Sequence, residues 1–578
     1  MNKKDLLIIP ISLVFAALML LPHLLMVRSL GADYGGIRHF VDDDAAYYVA
    51  RVQDVLDGHW FLGNPYLAEH KAKPSMQFFF PDWIAALPSW LFGVGAPAGV
   101  FWSTLFWIPV LASLAYAGMR ILTGSRFWAY AGTIGLLAGP FLRYWNRPVS
   151  PQTMLPFWFL FFIVMALWMR RLANASDNGN ERAGWYPVLA MTAFGSLFYV
   201  YPYGWTFFTI VLCLLMAASI VRIFPMRPKA ILMVLVGGCL LGSFYFLTIF
   251  KAAGLPEYGQ SLTRLGLIDT HFPSGIRIVV PAITLLAVYG FALWKRWMPW
   301  NAATAFVVSG FFGLVIAVNQ HIITGKNLEF SSHYIDTSRI WTMIGAAYFF
   351  AAWEARVRSV RTFRIIAVVV MIAIFMPMAR NIMRQTVSGV SGTVHLQRYS
   401  QVLDTLKDRV MPDQVVFAGD ELSLLIPMYT SANIYYDRHA NLFFISDHEV
   451  EERFLAQHYF DNIDEKFLKM YERSIWGVRY IDQAGHIRQR NKLFSLFGLE
   501  PLPVPDVPQE EIDRMLARSA GVKAVDFGDA VKQYRADWLV WDTVRDPHWQ
   551  GIEAMPFLEL ATTVGDFRIY RVKLAPTE

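Results

Sequence analysis

Three consecutive carboxylates, Asp42-Asp43-Asp44, follow the first apolar stretch of the chain. Ionisable groups at a membrane boundary are costly and mark functional sites by default. A carboxylate placed there can take a proton from a hydroxyl, so the triplet is a candidate general base. The plainer reading is capping, because Asp is a preferred N-cap and acids in a first helical turn complement the helix dipole. Capping occupies one or two of the three and leaves a carboxylate over. Cations recur on what reads as the same side. Lys71 and Lys73 can hold an anion as point charges, or simply snorkel. Arg143 and Arg147 flank Tyr144-Trp145-Asn146, where a guanidinium can grip phosphate-type oxygens bidentately or merely pack a helix end. A third group, His321, Glu329, His333, Asp336 and Arg339, is dense in titratable side chains within one short connection, which makes it a site candidate. Its spacing matches no standard zinc pattern, and a divalent metal there is left open.

These residues hang on apolar helices. The chain has 578 residues, 55% hydrophobic and only 17% charged, a balance suited to an integral membrane protein. Runs near 6–27, 93–119, 127–142, 153–169, 185–201, 204–221, 230–250, 276–294, 302–319, 340–353 and 365–379 each approach the ~20 residues a span needs, giving about eleven. The first, behind Met1-Asn2-Lys3-Lys4, lacks a small-x-small cleavage site and reads as an uncleaved signal anchor. Alternate connections are basic: Arg120 and Arg126; Arg170, Arg171 and Arg182; Arg222, Arg227 and Lys229; Lys295 and Arg296; Arg356, Arg358, Arg361 and Arg364. The positive-inside rule makes these cytoplasmic, with the N-terminus inside and the C-terminal region outside, beside the acidic triplet. The net charge of +6 is thereby explained without nucleic acid. In a double-membrane bacterium the outside is the periplasm, and the chain then sits in the inner membrane.

The expected fold is thus a polytopic α-helical membrane domain, residues 1–384, followed by a soluble α/β domain, residues 385–578. The first outer loop, 32–91, is long and patterned. Ala45, Tyr48, Val49, Val52 and Leu56 recur at helical spacing until Gly58, predicting a surface helix that starts near Asp42. The segment Tyr199–Trp205 reads as an interfacial aromatic belt, with sugar stacking as the sharper alternative. The loop at 251–276 is long enough for a mobile lid. Strands are predicted at 415–419, 433–436, 537–541 and 567–572, and helices at 450–460 and 464–476. Cys213 and Cys239 lie in apolar runs, which argues against a disulfide framework.

Asp43-Asp44-Ala45-Ala46-Tyr47, Gly58-His59-Trp60 and Lys73-Pro74 together resemble the first outer loop of GT-C glycosyltransferases, most closely the aminoarabinose and protein-mannosyl transferase type. The resemblance covers about residues 40–93 and the general plan of many spans before an outer domain. It departs at Ser75, where a second proline is expected, and at the extra Asp42; the Trp-Trp-Asp-Tyr-Gly signature of oligosaccharyltransferases is absent. The resemblance implies an enzyme that moves a sugar from a polyprenyl-phosphate donor to a glycan, lipid or protein acceptor on the outer face of the membrane, the lipid tail entering between helices from the outer leaflet. It implies Asp43 as the catalytic carboxylate, with Asp44 beside it, and Lys73 on the carrier phosphate. Arg143, Arg147 and Arg339 are then further phosphate ligands, and Tyr47, His321, Glu329, His333 and Asp336 line the substrate. A single displacement with inversion needs only one such base and a cationic clamp. Two other classes fit the composition: a transporter or flippase, and a non-catalytic envelope assembly protein. No internal repeat of the kind common in transporters is visible.

Overall fold

The computed structural model describes residues 3–40, 44–74, 78–139, 147–175, 184–327 and 333–573. Every apolar run named above is helical over at least part of its length. Among the described residues, seven helices are long and apolar enough to cross a membrane, or eight if one bent pair counts as a single span. That pair, Pro228–Leu241 and Ser243–Ala253, bends by 53°. The break falls at Gly242-Ser243, the kind of small-residue step at which helices kink. The expected eleven is not reached by length and composition. Helices Arg126–Ala138 and Tyr186–Ser196 have 13 and 11 residues, or roughly 20 Å against a hydrocarbon core of about 30 Å. Helix Tyr334–Glu354 is long enough but carries Asp336, Arg339 and Glu354.

The basic connections at Arg126, Lys295-Arg296 and Arg356–Arg364 meet at one end of the bundle. Arg126 pairs with Asp5 at 3.0 Å, and Arg364 with Glu354 at 2.6 Å. Trp128 Nε1 donates to the same Glu354, and Arg356 Nε to the Trp297 carbonyl. Helix Val360–Ser388, 29 residues long, starts here, where the Ser359 side chain accepts from Thr362 N. At 1.5 Å per residue it runs about 43 Å. It delivers the chain to the opposite end, where Gly389 lies beside His39.

That opposite end is built jointly by the first loop and the C-terminal region. Helix Asp44–Leu56 sends Val49, Val52 and Val55 into the same core as Leu422, Leu425 and Ile426 of helix Asp420–Tyr429. Gln397 Oε1 accepts from Gly35 N and Ile37 N, Tyr429 OH accepts from Arg38 N, and the Tyr66 carbonyl accepts from Ile434 N. A second core, from Ile8 to Tyr348, belongs to the bundle alone.

The C-terminal sheet has the order Asn433–Ile434, Val415–Ala418, Trp538–Asp542, Phe567–Val572, Leu558–Val564. The first three strands are parallel and the last two antiparallel. Val415–Ala418 is buried at every position, as a central parallel strand covered on both faces must be. The helix expected at 464–476 is two pieces, Glu465–Met470 and Glu472–Trp476, parted at Tyr471.

At the carboxyl end of this sheet, burial and then the neighbouring Asp542, Asp461 and Asp420 push the Asp546 carboxyl up to about 7. An ordinary Asp titrates near 3.9. Between those values the folded chain holds a proton that the unfolded chain releases, so this group makes stability rise as pH falls from about 8 to 4. Asp546→Asn is expected to raise the unfolding temperature at pH 8 and to flatten that part of the pH profile. Thermal unfolding across the range, followed by tryptophan fluorescence, checks this, and an unchanged profile contradicts it.

Candidate active site

Helix Asp44–Leu56 is anchored from within. Arg51 is fully buried and its Nη2 donates to Asp82 Oδ2 at 2.6 Å and to the Phe78 carbonyl, while Nη1 donates to Tyr47 OH at 2.9 Å. Its guanidinium also lies 5.0 Å and 5.4 Å from the ring centres of Tyr47 and Tyr48. A buried cation with four aromatic or carboxylate neighbours fixes both tyrosines, which form one wall of a cavity of about 600 Å³. That volume is in the usual range for a small-molecule site.

At the edge of the same wall, Asp44 accepts from Arg147 Nη1 at 2.8 Å. Arg147 is itself tied down: its Nε donates to the Ser150 carbonyl, and its guanidinium lies over Tyr48. The turn that presents it is strained, because Val149 has φ 60, a left-handed value costly for a β-branched residue. Thr153 Oγ1, donating to the Pro81 carbonyl at 2.8 Å, secures that turn against the first loop. Strain held by its surroundings is common at working sites.

The bundle supplies a second wall of Tyr201, Tyr203, Trp205, Tyr245 and Tyr334. Tyr201 OH meets His333 Nδ1 at 2.9 Å, and Thr206 meets Tyr334 OH at 2.7 Å. His333 presents its ring to the cavity, open to water there yet surrounded by protein. That desolvation, reinforced by Arg147, lowers its pKa to about 3, so it is neutral at ordinary pH. A neutral imidazole can orient a hydroxyl without attracting an anion.

The third wall comes from the C-terminal region: Arg438, His439, Asn441, Arg473 and Gly477. Asp437 caps its short turn, accepting from His439 N at 2.8 Å and holding His439 Nδ1 at 2.7 Å. Arg264 closes the gap between second and third walls. It is buried, pairs with Asp447 and donates to the Ile445 carbonyl, and its own carbonyl accepts from Val478 N at 2.8 Å. The 251–276 loop is therefore pinned by helix Tyr258–Arg264 rather than standing free as a lid. Gly477 makes this closure sterically feasible: its φ is +61, and an added Cβ would lie 2.4 Å from the Arg264 carbonyl oxygen. Gly477→Ala is expected to cost about 1–3 kcal/mol, because φ +61 with ψ −130 is a backbone region that glycine alone occupies readily. A wild-type unfolding midpoint for that variant would contradict the assignment.

The sequence-derived candidates distribute as follows. Asp44, Tyr47 and His333 line the cavity, and Arg147 holds Asp44. Lys73 is not among the described residues lining it; its ammonium pairs with Glu257 and donates to the Phe444 carbonyl at 3.3 Å. Arg339 pairs with Asp336 at 3.2 Å, and neither lines the cavity. His321 is buried away from it, with Nε2 on the Phe272 carbonyl at 2.9 Å. Asp43, Arg143 and Glu329 lie outside the described residues. Among the described residues, no three His, Cys, Asp or Glu side chains are grouped to hold a metal. Tyr201, Tyr203 and Trp205, expected in an aromatic belt, face the cavity. Arg438 and Arg473 carried no signal in the sequence, since only tertiary folding brings them opposite residues 44–48.

No family model and no curated protein matches this sequence. Among solved structures, the chain is similar to the oligosaccharyltransferase of Archaeoglobus fulgidus in the apo form, at 11% identity over 94% of this chain and 70% of that one, with a TM-score of 0.47. It is similar also to ArnT, an aminoarabinose transferase, from Cupriavidus metallidurans in the apo state, at 12% identity over 95% and 97%, with a TM-score of 0.44. Both are GT-C glycosyltransferases. At these identities and TM-scores they transfer no residue role to this chain.

Proposed function

We propose that this protein is a membrane glycosyltransferase that moves a sugar from a polyprenyl-phosphate donor to an acceptor at the outer face of the membrane. The observation that carries this reading is one cavity, about 600 Å³, where the ends of apolar helices meet the first loop and the C-terminal region, with Asp44 at its edge. A lipid-linked donor needs its reacting carbon near the membrane and its acceptor in water, and this junction offers both. The basic connections at Arg126, Lys295-Arg296 and Arg356–Arg364 occupy the other end of the bundle, which the positive-inside rule makes cytoplasmic. The cavity then faces outward, into the periplasm if the membrane is a bacterial inner one.

In this reading Asp43 takes the proton from the acceptor hydroxyl as that oxygen bonds to the anomeric carbon. The carbon–oxygen bond to phosphate breaks, its electron pair leaves on the carrier phosphate, and the configuration inverts. Asp44, neutralised by Arg147, keeps a second full charge from competing for the proton. Arg147 and Arg143 serve the carrier phosphate from the first side. Lys73 and Arg339, bound to Glu257 and Asp336, act by holding the walls. Tyr201, Tyr203 and His333 bind the sugar by ring faces and hydroxyl contacts. Purified protein in vesicles, supplied with polyprenyl-phosphate sugars, tests the reading: sugar consumption with release of the lipid phosphate supports it. Movement of the intact donor across the vesicle, without consumption, indicates a flippase.

A further inference from the structure

Among the described residues, Lys73, Arg147 and Arg339 are each paired with a carboxylate, but two other arginines on the cavity wall are not so committed. Arg438 and Arg473 both line the cavity and are exposed within it. Neither forms an ion pair or side-chain hydrogen bond among the described residues. The carboxylate next to Arg438, Asp437, is bound to His439 at 2.7 Å. Glu472 and Asp482 feel the Arg473 charge without pairing with it. Among the described lining residues, Asp44 is the one carboxylate, and Arg147 neutralises it. Among the described residues the third wall therefore carries two positive charges with no carboxylate partner into a concave, largely aromatic space, an arrangement that concentrates anions.

Both arginines are held in place by backbone rather than by their own heads. Arg438 sits in the turn capped by Asp437, and Arg473 in helix Glu472–Trp476, whose following Gly477-Val478 is locked to the Arg264 carbonyl. A guanidinium with a fixed backbone and, among the described residues, no partner for its head is available to a phosphate, which it can engage through two parallel N–H donors.

We propose that Arg438 and Arg473 form a phosphate clamp, supplied by the C-terminal region, on the cavity wall facing residues 44–48. The clamp deepens the transferase reading and rests on it for the nature of the ligand: the phosphate belongs either to the lipid carrier or to a phosphorylated acceptor. It also gives the C-terminal region a direct part in substrate binding.

The test uses full-length protein in nanodiscs, titrated with geranyl phosphate, geraniol and glucose 1-phosphate. Because neither arginine carries a side-chain hydrogen bond or ion pair among the described residues, Arg438→Gln and Arg473→Gln are expected to fold normally, which an unchanged unfolding temperature checks. Each loss of a charge-assisted contact should weaken phosphate binding about tenfold or more. Arg→Lys at the same positions should restore part of it, and geraniol binding should not move. Weakened geranyl phosphate binding assigns the clamp to the carrier. Weakened glucose 1-phosphate binding alone assigns it to a phosphorylated acceptor. Unchanged affinity for both phosphates in the double Gln variant overturns the clamp. Sugar-transfer assays on the same samples keep the two ideas apart. Transfer with no change in phosphate binding rejects only the clamp, and phosphate binding without transfer rejects only the transferase.

Discussion

Asp43→Asn is expected to lower sugar transfer by about 100- to 10,000-fold, the usual contribution of a positioned general base. The amide keeps the shape of the carboxylate but cannot accept the acceptor's proton, so the loss should fall on kcat while donor binding persists. Asp44→Asn should cost less. It removes the partner of Arg147, whose Nη1 sits 2.8 Å from the carboxylate, and leaves that cation free beside Tyr48. The Asp44 side chain is 61% exposed, so neither folding nor expression should suffer from its replacement. Release of the lipid phosphate in single-turnover mixtures measures both variants. Wild-type rates in both would remove the acidic segment from the mechanism.

Arg51→Ala is expected to destabilise the protein by about 3–5 kcal/mol, the range found when one partner of a buried ion pair is deleted. Arg51 and Asp82 are both fully buried at 2.6 Å, so the deletion strands a carboxylate among Phe78, Tyr47 and Tyr48. Burial already pushes the Asp82 carboxyl up to about 6 against the pull of Arg51. Without the guanidinium it should take up a proton near neutral pH, which recovers part of the loss. Replacing both residues with apolar side chains, Arg51→Met with Asp82→Leu, should cost far less in stability. The double variant would still lose the cation that orients Tyr47 and Tyr48, so its activity should remain low. Unfolding midpoints in detergent, read by tryptophan fluorescence, separate the two cases. A wild-type midpoint for Arg51→Ala would show that the pair holds nothing in place.

Local pattern was enough to foresee much of this molecule. The apolar runs are helical because nothing in them offers the backbone a competing partner. The helix starting near Asp42 followed from Ala45, Tyr48, Val49, Val52 and Leu56 at helical spacing, and the strand at 415–418 from the short run Val415-Val416-Phe417-Ala418 before Gly419. The strand Leu558–Val564 was missed because it is a half-exposed edge with a bulge at Leu560/Thr562, which blurs the alternation. The number of spans was harder to read, because a window of apolar residues does not reveal where a helix stops: the run near 185–201 is helical from Tyr186 to Ser196 and then tightens into a short 3-10 turn at Leu197–Tyr199. The cavity was half legible. Asp44, Tyr47 and His333 stood out as polar or aromatic residues at a membrane edge. Lys73 stood out equally, yet its partner Glu257 is 184 residues away, a distance no spacing rule can bridge. Arg438 and Arg473 look like any surface arginine until the C-terminal region folds back over the first loop.

The central claim is most directly tested by incubating purified, vesicle-reconstituted protein with a small panel of polyprenyl-phosphate sugars and a membrane extract as acceptor source. The account predicts release of free polyprenyl phosphate from at least one donor, dependent on the extract and abolished in the Asp43→Asn, Asp44→Asn double variant. Donors recovered intact across the panel, or release that continues unchanged in the double variant, would contradict it.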